Sequence, residues 1–155
     1  MEAAVYFEWD DKQWQEALSK SASDRMGMAC LMLERDVKTH FEVGQAPGIV
    51  TGRLKSSITS NWTGRKTTPR VGRYKKEDDE SKNWGGAVDA PMANPGGGWP
   101  NIKGVVGTNV TYGRELEMGK GKTRAYPFMR PALERNRREI PRLFQMDRDI
   151  TTSLI

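Results

Sequence analysis

Thiols and imidazoles are almost missing from this chain: Cys30 is its lone cysteine and His40 its lone histidine. A single cysteine excludes an internal disulfide and fits a reducing cytoplasm. On one helix, Cys30 and His40 would stand roughly 15 Å apart at 1.5 Å per residue, too far for a nucleophile–base pair. Zinc needs about four convergent Cys, His or carboxylate ligands, and no such spacing occurs. Both residues are read as structural, and no metal or cofactor is expected. Long apolar runs are missing too. None approaches the ~18 residues of a membrane span, so no membrane partner is expected. The start carries Glu2, Glu8, Asp10 and Asp11 where a signal peptide would be basic and then apolar. Apolar residues make up 36% of 155 against 29% charged, which implies one domain with a lean core.

Glycine and proline are well represented, with sixteen and eight copies, so substantial loop is expected. The net charge of +5 suits an anionic partner, either nucleic acid or an acidic protein surface. Residues 3–9 have strand composition and read as a strand or a docking arm. Asp10 or Asp11 caps a helix carrying Trp14, Ala17 and Leu18, which Ser21 or Ser23 restarts or continues. From there Ala22, Met26, Ala29, Cys30, Leu33, Val37 and Phe41 form one apolar stripe, ending near 41–44. Gly27 inside that helix suggests close packing of another backbone. Met28, Leu31 and Met32 widen the stripe, so the helix is either deeply buried or touches another subunit on its second side.

Thr51 reads as the N-cap of a short helix through Leu54 and Ser57. A strand follows at 58–62, with Ile58, Ser60 and Trp62 on one face. A second strand is expected at 104–110, where Val105, Val106 and Val110 suit a pleated surface. Gly107 and Asn109 punctuate it as turn or bulge residues able to take positive φ. The run 126–131 gives an extended entry into a helix starting near Pro131, whose missing N–H costs nothing at a first helical position. Leu133, Ile140 and Phe144 line one side of that helix, and Pro141 predicts a kink or stop near Ile140. Residues 146–155 read as a tail suited to docking on a partner.

Between the strands, 65–101 has little periodicity, and a segment this long is a functional extension or disordered. It opens with a basic run, Arg65, Lys66, Arg70, Arg73, Lys75 and Lys76, interleaved with Tyr74 and followed by acidic residues 77–80. Trp84 and Trp99 come later. Asp78, Asp79 and Glu80 are read as a solvated run or as partners of the adjacent lysines rather than metal ligands. Gly121-Lys122-Thr123 resembles the end of a phosphate loop, but the first glycine would have to stand where Leu116 is, so the match fails. The fold expected is α+β, a single domain over 1–155. A small, mostly antiparallel sheet would be covered on one face by the long N-terminal helix and a C-terminal helix, with 65–101 as a hairpin-like arm.

The order TGRLKSSI (from Thr51), VVGTNVTYGRELEMG (from Val105) and RAYPFMRPALE (from Arg124) resembles the tail-completion, or head–tail joining, family of long-tailed HK97-type phages. The residues that match its motifs are Thr51, Gly52, Arg53 and Leu54, then Gly107, Tyr112, Glu117 and Gly119, then Pro127, Phe128, Arg130 and Pro131. Gly113 stands where alanine is usual, and Tyr126 where arginine is. The resemblance implies a structural virion protein, not an enzyme, that completes or terminates the tail and joins it to the head. It implies a homo-oligomeric ring, with a hexamer favoured, around a lumen that DNA crosses without being read. The implied partners are a head-closure or connector protein and the tail tube protein. The implied location is the neck or tail of a virion made in host bacterial cytoplasm. On that view Arg65, Lys66, Arg70, Arg73, Tyr74, Lys75, Lys76, Trp84 and Trp99 are contacts to neighbouring subunits, with tryptophans as anchors. The alternative is a basic nucleic-acid-binding module on 65–82, its aromatics stacking bases while cations track phosphates. A small hydrolase is a third class, and no nucleophile–base arrangement supports it.

Overall fold

The computed structural model describes residues 11–42, 52–70, 91–120 and 124–145. The candidate strand at 3–9, the Asp10 cap, Thr51, Arg73, Tyr74, Lys75, Lys76, the acidic run 77–80, Trp84, 121–123 and the tail 146–155 lie outside the described residues.

One helix, α1 (Asp11–Glu42), takes up 32 residues, roughly 48 Å at 1.5 Å per residue. Ser21 and Ser23 do not interrupt it, because their hydroxyls are engaged sideways. Ser21 Oγ accepts from Arg25 Nε at 3.3 Å, and Ser23 Oγ donates to the Thr63 carbonyl at 2.7 Å. A short helix α2 (Arg53–Ser57) starts after Gly52 at φ 64°, a left-handed conformation that glycine takes without strain. The residue flanking the helix is therefore Gly52. Strands β1 (Thr59–Trp62) and β2 (Gly104–Gly107) pair antiparallel, Thr59 opposite Gly107 and Trp62 opposite Gly104. The rest are α3 (Thr111–Met118), α4 (Met129–Asn136) and α5 (Glu139–Leu143). This is an α+β fold, with 63–103 joining the two strands as one long hairpin connection.

Both strands are shorter than their composition suggests. Ile58 closes α2 instead, its N–H on the Lys55 carbonyl, and is fully buried there. β2 ends at Gly107, which stays in the ladder rather than adopting positive φ. The turn is made by Thr108, whose Oγ1 bonds Ser57 Oγ and accepts the Val110 N–H at 3.1 Å.

The two faces of β1 are covered differently. Ser60 and Trp62 face α1: Ser60 Oγ donates to Glu34 Oε2 at 2.6 Å. Trp62 packs so close to Gly27 that a β-carbon there would lie 2.7 Å from the indole. The close neighbour of Gly27 is thus a side chain and not a second backbone. Thr59, Asn61 and Thr63 face the other way, where residues 91–97 cross the sheet as a strap. Thr59 Oγ1 accepts the Met92 N–H, Asn61 Nδ2 donates to the Met92 carbonyl, and Thr63 Oγ1 donates to the Gly96 carbonyl. All three are buried with Ser57 and Ser60, and the hydrogen bonds offset the cost of removing them from water.

Among the described residues, the apolar core gathers Val37, Leu54, Ile58, Val110, Phe128 and Ala132, flanked by Val106, Tyr112, Leu116 and Met129. α1 lies on the sheet, and α4 and α5 pack on α1. α4 starts at Met129, so Pro131 is its third residue and not its first. That position is equally free, since the first four helical N–H groups have no partner within the helix. The chain breaks at Arg137 and Arg138, earlier than Ile140. Pro141 offers no N–H to the Arg137 carbonyl four residues back, and its ring crowds that carbonyl. The proline then sits harmlessly in the first turn of α5. Leu133 and Phe144 are exposed, and Ala132 is the residue α4 buries.

Candidate functional site

The three segments that carry the motifs meet in one place. Leu54 after Gly52, Val110 and Tyr112 at the head of α3, and Phe128 and Ala132 at the head of α4 share the apolar core. Glu117 fastens the last two together. Its carboxylate accepts three backbone N–H groups, from Phe128 at 2.7 Å and from Met129 and Arg130 at 2.9 Å. Those are unpartnered donors of a helix start, and a negative charge is favourable there. Tyr126 adds a backbone bond to the Leu116 carbonyl at 2.7 Å. Gly119 ends α3 at φ 77°, where only glycine is comfortable. Gly113 is fitted to its site, because a β-carbon there would stand 2.8 Å from Thr108 Cγ2. Pro127 and Arg130 are exposed beside this junction, and Arg53 is half-buried.

The arm's candidate contact residues divide. Arg65 is engaged within the fold: its guanidinium lies 4.5 Å from the Trp62 ring centroid and donates to the Ser60 carbonyl at 2.6 Å. Lys66, Arg70 and Trp99 are exposed, Trp99 at 45%. Residues 91–97 belong to the body of the domain, so only the middle of 65–101 can be an independent arm. Nothing in the local sequence announced this strap. Its signal was the polar alternation of Thr59, Asn61 and Thr63 on one strand face.

Chemistry-bearing groups are few. Cys30 is buried on the sheet side of α1, its thiol directed at the Asn61 carbonyl at 3.9 Å. Burial pushes that thiol above its ordinary value, against a smaller opposing hydrogen bond from the Val105 backbone, so it stays a protonated thiol at neutral pH. Half-buried His40 lies ten residues further along the same helix. Among the described residues, no three His, Cys, Asp or Glu side chains could hold a metal ion together. No described helix is long and apolar enough to cross a membrane.

What the surface offers instead is apolar area. A groove of about 290 Å³ runs between Met26, Leu33 and Val37 of α1, Val106 of β2, and Met129 and Leu133 of α4. On the outer side of α1, Met28 is 57% and Leu31 50% exposed, so that face is not deeply buried within the chain. Compared with protein-family models, curated proteins and solved structures, the chain matches none.

Proposed function

We propose that the chain is a structural virion protein of a tailed phage, a tail-completion or terminator subunit that forms a ring, a hexamer in the favoured form, joining the tail to the head connector. The observation that carries this reading is the convergence of the three motif segments on one core, clamped by Glu117. Residues that make the resemblance act together as a scaffold. The reading assigns no catalysis and puts the protein in the neck or tail, after synthesis in the host bacterial cytoplasm. DNA crosses the lumen without being read, and the head-closure or connector protein and the tail tube protein are the neighbours.

A ring needs head-to-tail contact between two different patches of each subunit. As candidates for those two patches we take the groove lined by Met26, Leu33, Val37, Val106 and Met129, and the exposed Trp99. The rival reading, a nucleic-acid module on 65–82, loses its first cation to Trp62 and Ser60.

Electron microscopy of the purified protein mixed with head and tail fractions tests the proposal. Rings, and tails capped and competent to join heads, are expected. Protein that forms no ring and leaves tails unchanged overturns it. A salt series separates the rival, since binding through several phosphates weakens steeply with salt and a ring with apolar contacts persists.

A further inference from the structure

The stripe of α1 that faces away from the sheet carries a self-complementary pattern. Asp24, Met28, Leu31 and Arg35 are all exposed. At 3.6 residues per turn they fall within about 60° of arc, and their spacing of four, three and four is that of a helix–helix seam. No described residue pairs with the Asp24 carboxylate or the Arg35 guanidinium.

Turned end over end about a point between Ala29 and Cys30, the stripe meets its own complement. Asp24 then faces the partner's Arg35, Met28 faces the partner's Leu31, and the reciprocal pairs follow from the two-fold axis. A parallel arrangement would set Asp24 against Asp24 and Arg35 against Arg35, which like-charge repulsion opposes. We propose that this face of α1 docks on the same face of a second copy, antiparallel and about a two-fold axis.

A two-fold contact closes after two copies, so it is separate from the head-to-tail contact of a ring and goes beyond that reading. The seam from Asp24 to Arg35 is roughly 16 Å long at 1.5 Å per residue, smaller than a standard stable interface. The association is therefore weak and concentration-dependent.

Sedimentation of the full chain over a concentration series should show dimer formation at low salt. Asp24→Arg or Arg35→Asp alone should weaken it about tenfold or more. The double variant, with both signs exchanged, should regain wild-type association. All are exposed positions, and far-UV circular dichroism checks that the helix is kept. Orientation is read by mild oxidation. Asp24→Cys chains mixed with Arg35→Cys chains should form a disulfide-linked mixed dimer, which retains the charge pair at the other end of the seam. Asp24→Cys chains alone should not cross-link, their thiols being roughly 16 Å apart. Chains that stay monomeric, single reversals without effect, a double variant that fails to recover, or ready cross-linking of Asp24→Cys alone each overturn the proposal.

Discussion

Glu117 ties the end of α3 to the start of α4. Its carboxylate holds three N–H groups of the α4 start, and hydrogen bonds to a charged group contribute about 1.5–3 kcal/mol each where water is excluded, less where it is not. Glu117 is half-exposed, so Glu117→Ala is expected to cost about 2–3 kcal/mol and Glu117→Gln about 1 kcal/mol, since one amide oxygen cannot serve all three donors. Urea unfolding measures both, and equal stability of all three proteins would contradict the clamp. This role was not legible locally. Acceptor and first donor are eleven residues apart, outside any capping pattern, and only the resemblance singled Glu117 out. Cys30 gives a pH dependence. Burial raises its pKa above the ordinary value of 9.0, so the folded chain keeps its thiol proton where the unfolded chain ionises. The thiol's contribution is fully present below that ordinary value and is lost as pH rises from there through the raised value of the folded chain, by at most about 1.4 kcal/mol per pH unit. Cys30→Ala should flatten the fall in the urea midpoint over that alkaline range. An unchanged slope would rule the linkage out.

Among the elements, α1 was legible because a stripe of apolar residues at helical spacing is a strong periodic signal, and Ala29, Cys30 and Val37 of that stripe are buried. The sheet was legible in place but not in character. The strand was read with Ile58, Ser60 and Trp62 on one face, whereas β1 and the residue after it bury Thr59, Ser60, Asn61 and Thr63 and satisfy them through Glu34 and the strap. Pairing over more than thirty positions leaves no local trace, which is why 91–97 read as part of the arm. The α4–α5 break was visible as Pro141 but misplaced, because proline acts on the carbonyl four residues behind it. What then holds α5 is Arg25, whose Nη1 donates to the Leu143 carbonyl at 2.9 Å and to the Gln145 carbonyl at 2.5 Å. A cation at a helix C-terminus is favourable. Arg25→Ala should therefore release α5 selectively: amide exchange should speed up at 142–145 while β1 and β2 keep their protection. Uniform acceleration across the chain would mean that Arg25 supports the whole domain instead.

At the scale of the molecule, the strap at 91–97 must be kept apart from the rest of 65–101 when the proposed ring is tested. Removing 65–101 whole would take away the strap, and with it the bonds of Thr59 and Asn61 to Met92 and of Thr63 to Gly96. Each hydrogen bond lost to water costs about 0.5–1.5 kcal/mol, so that variant should be destabilised, and its failure to assemble would not isolate the arm. Removing 71–90 alone keeps Arg65 on Trp62 and Met92 on Thr59 and Asn61. Shortening a connection changes closure entropy only slowly, about 0.6 kcal/mol for each halving. With a short Gly/Ser bridge from Arg70 to Pro91, the variant should unfold at nearly the wild-type urea midpoint. If the arm seats on neighbouring subunits, it should nevertheless fail to form rings or to join tails to heads. A folded 71–90 deletion that still builds rings would leave the arm without a role in assembly, and the groove and Trp99 would have to account for ring closure by themselves.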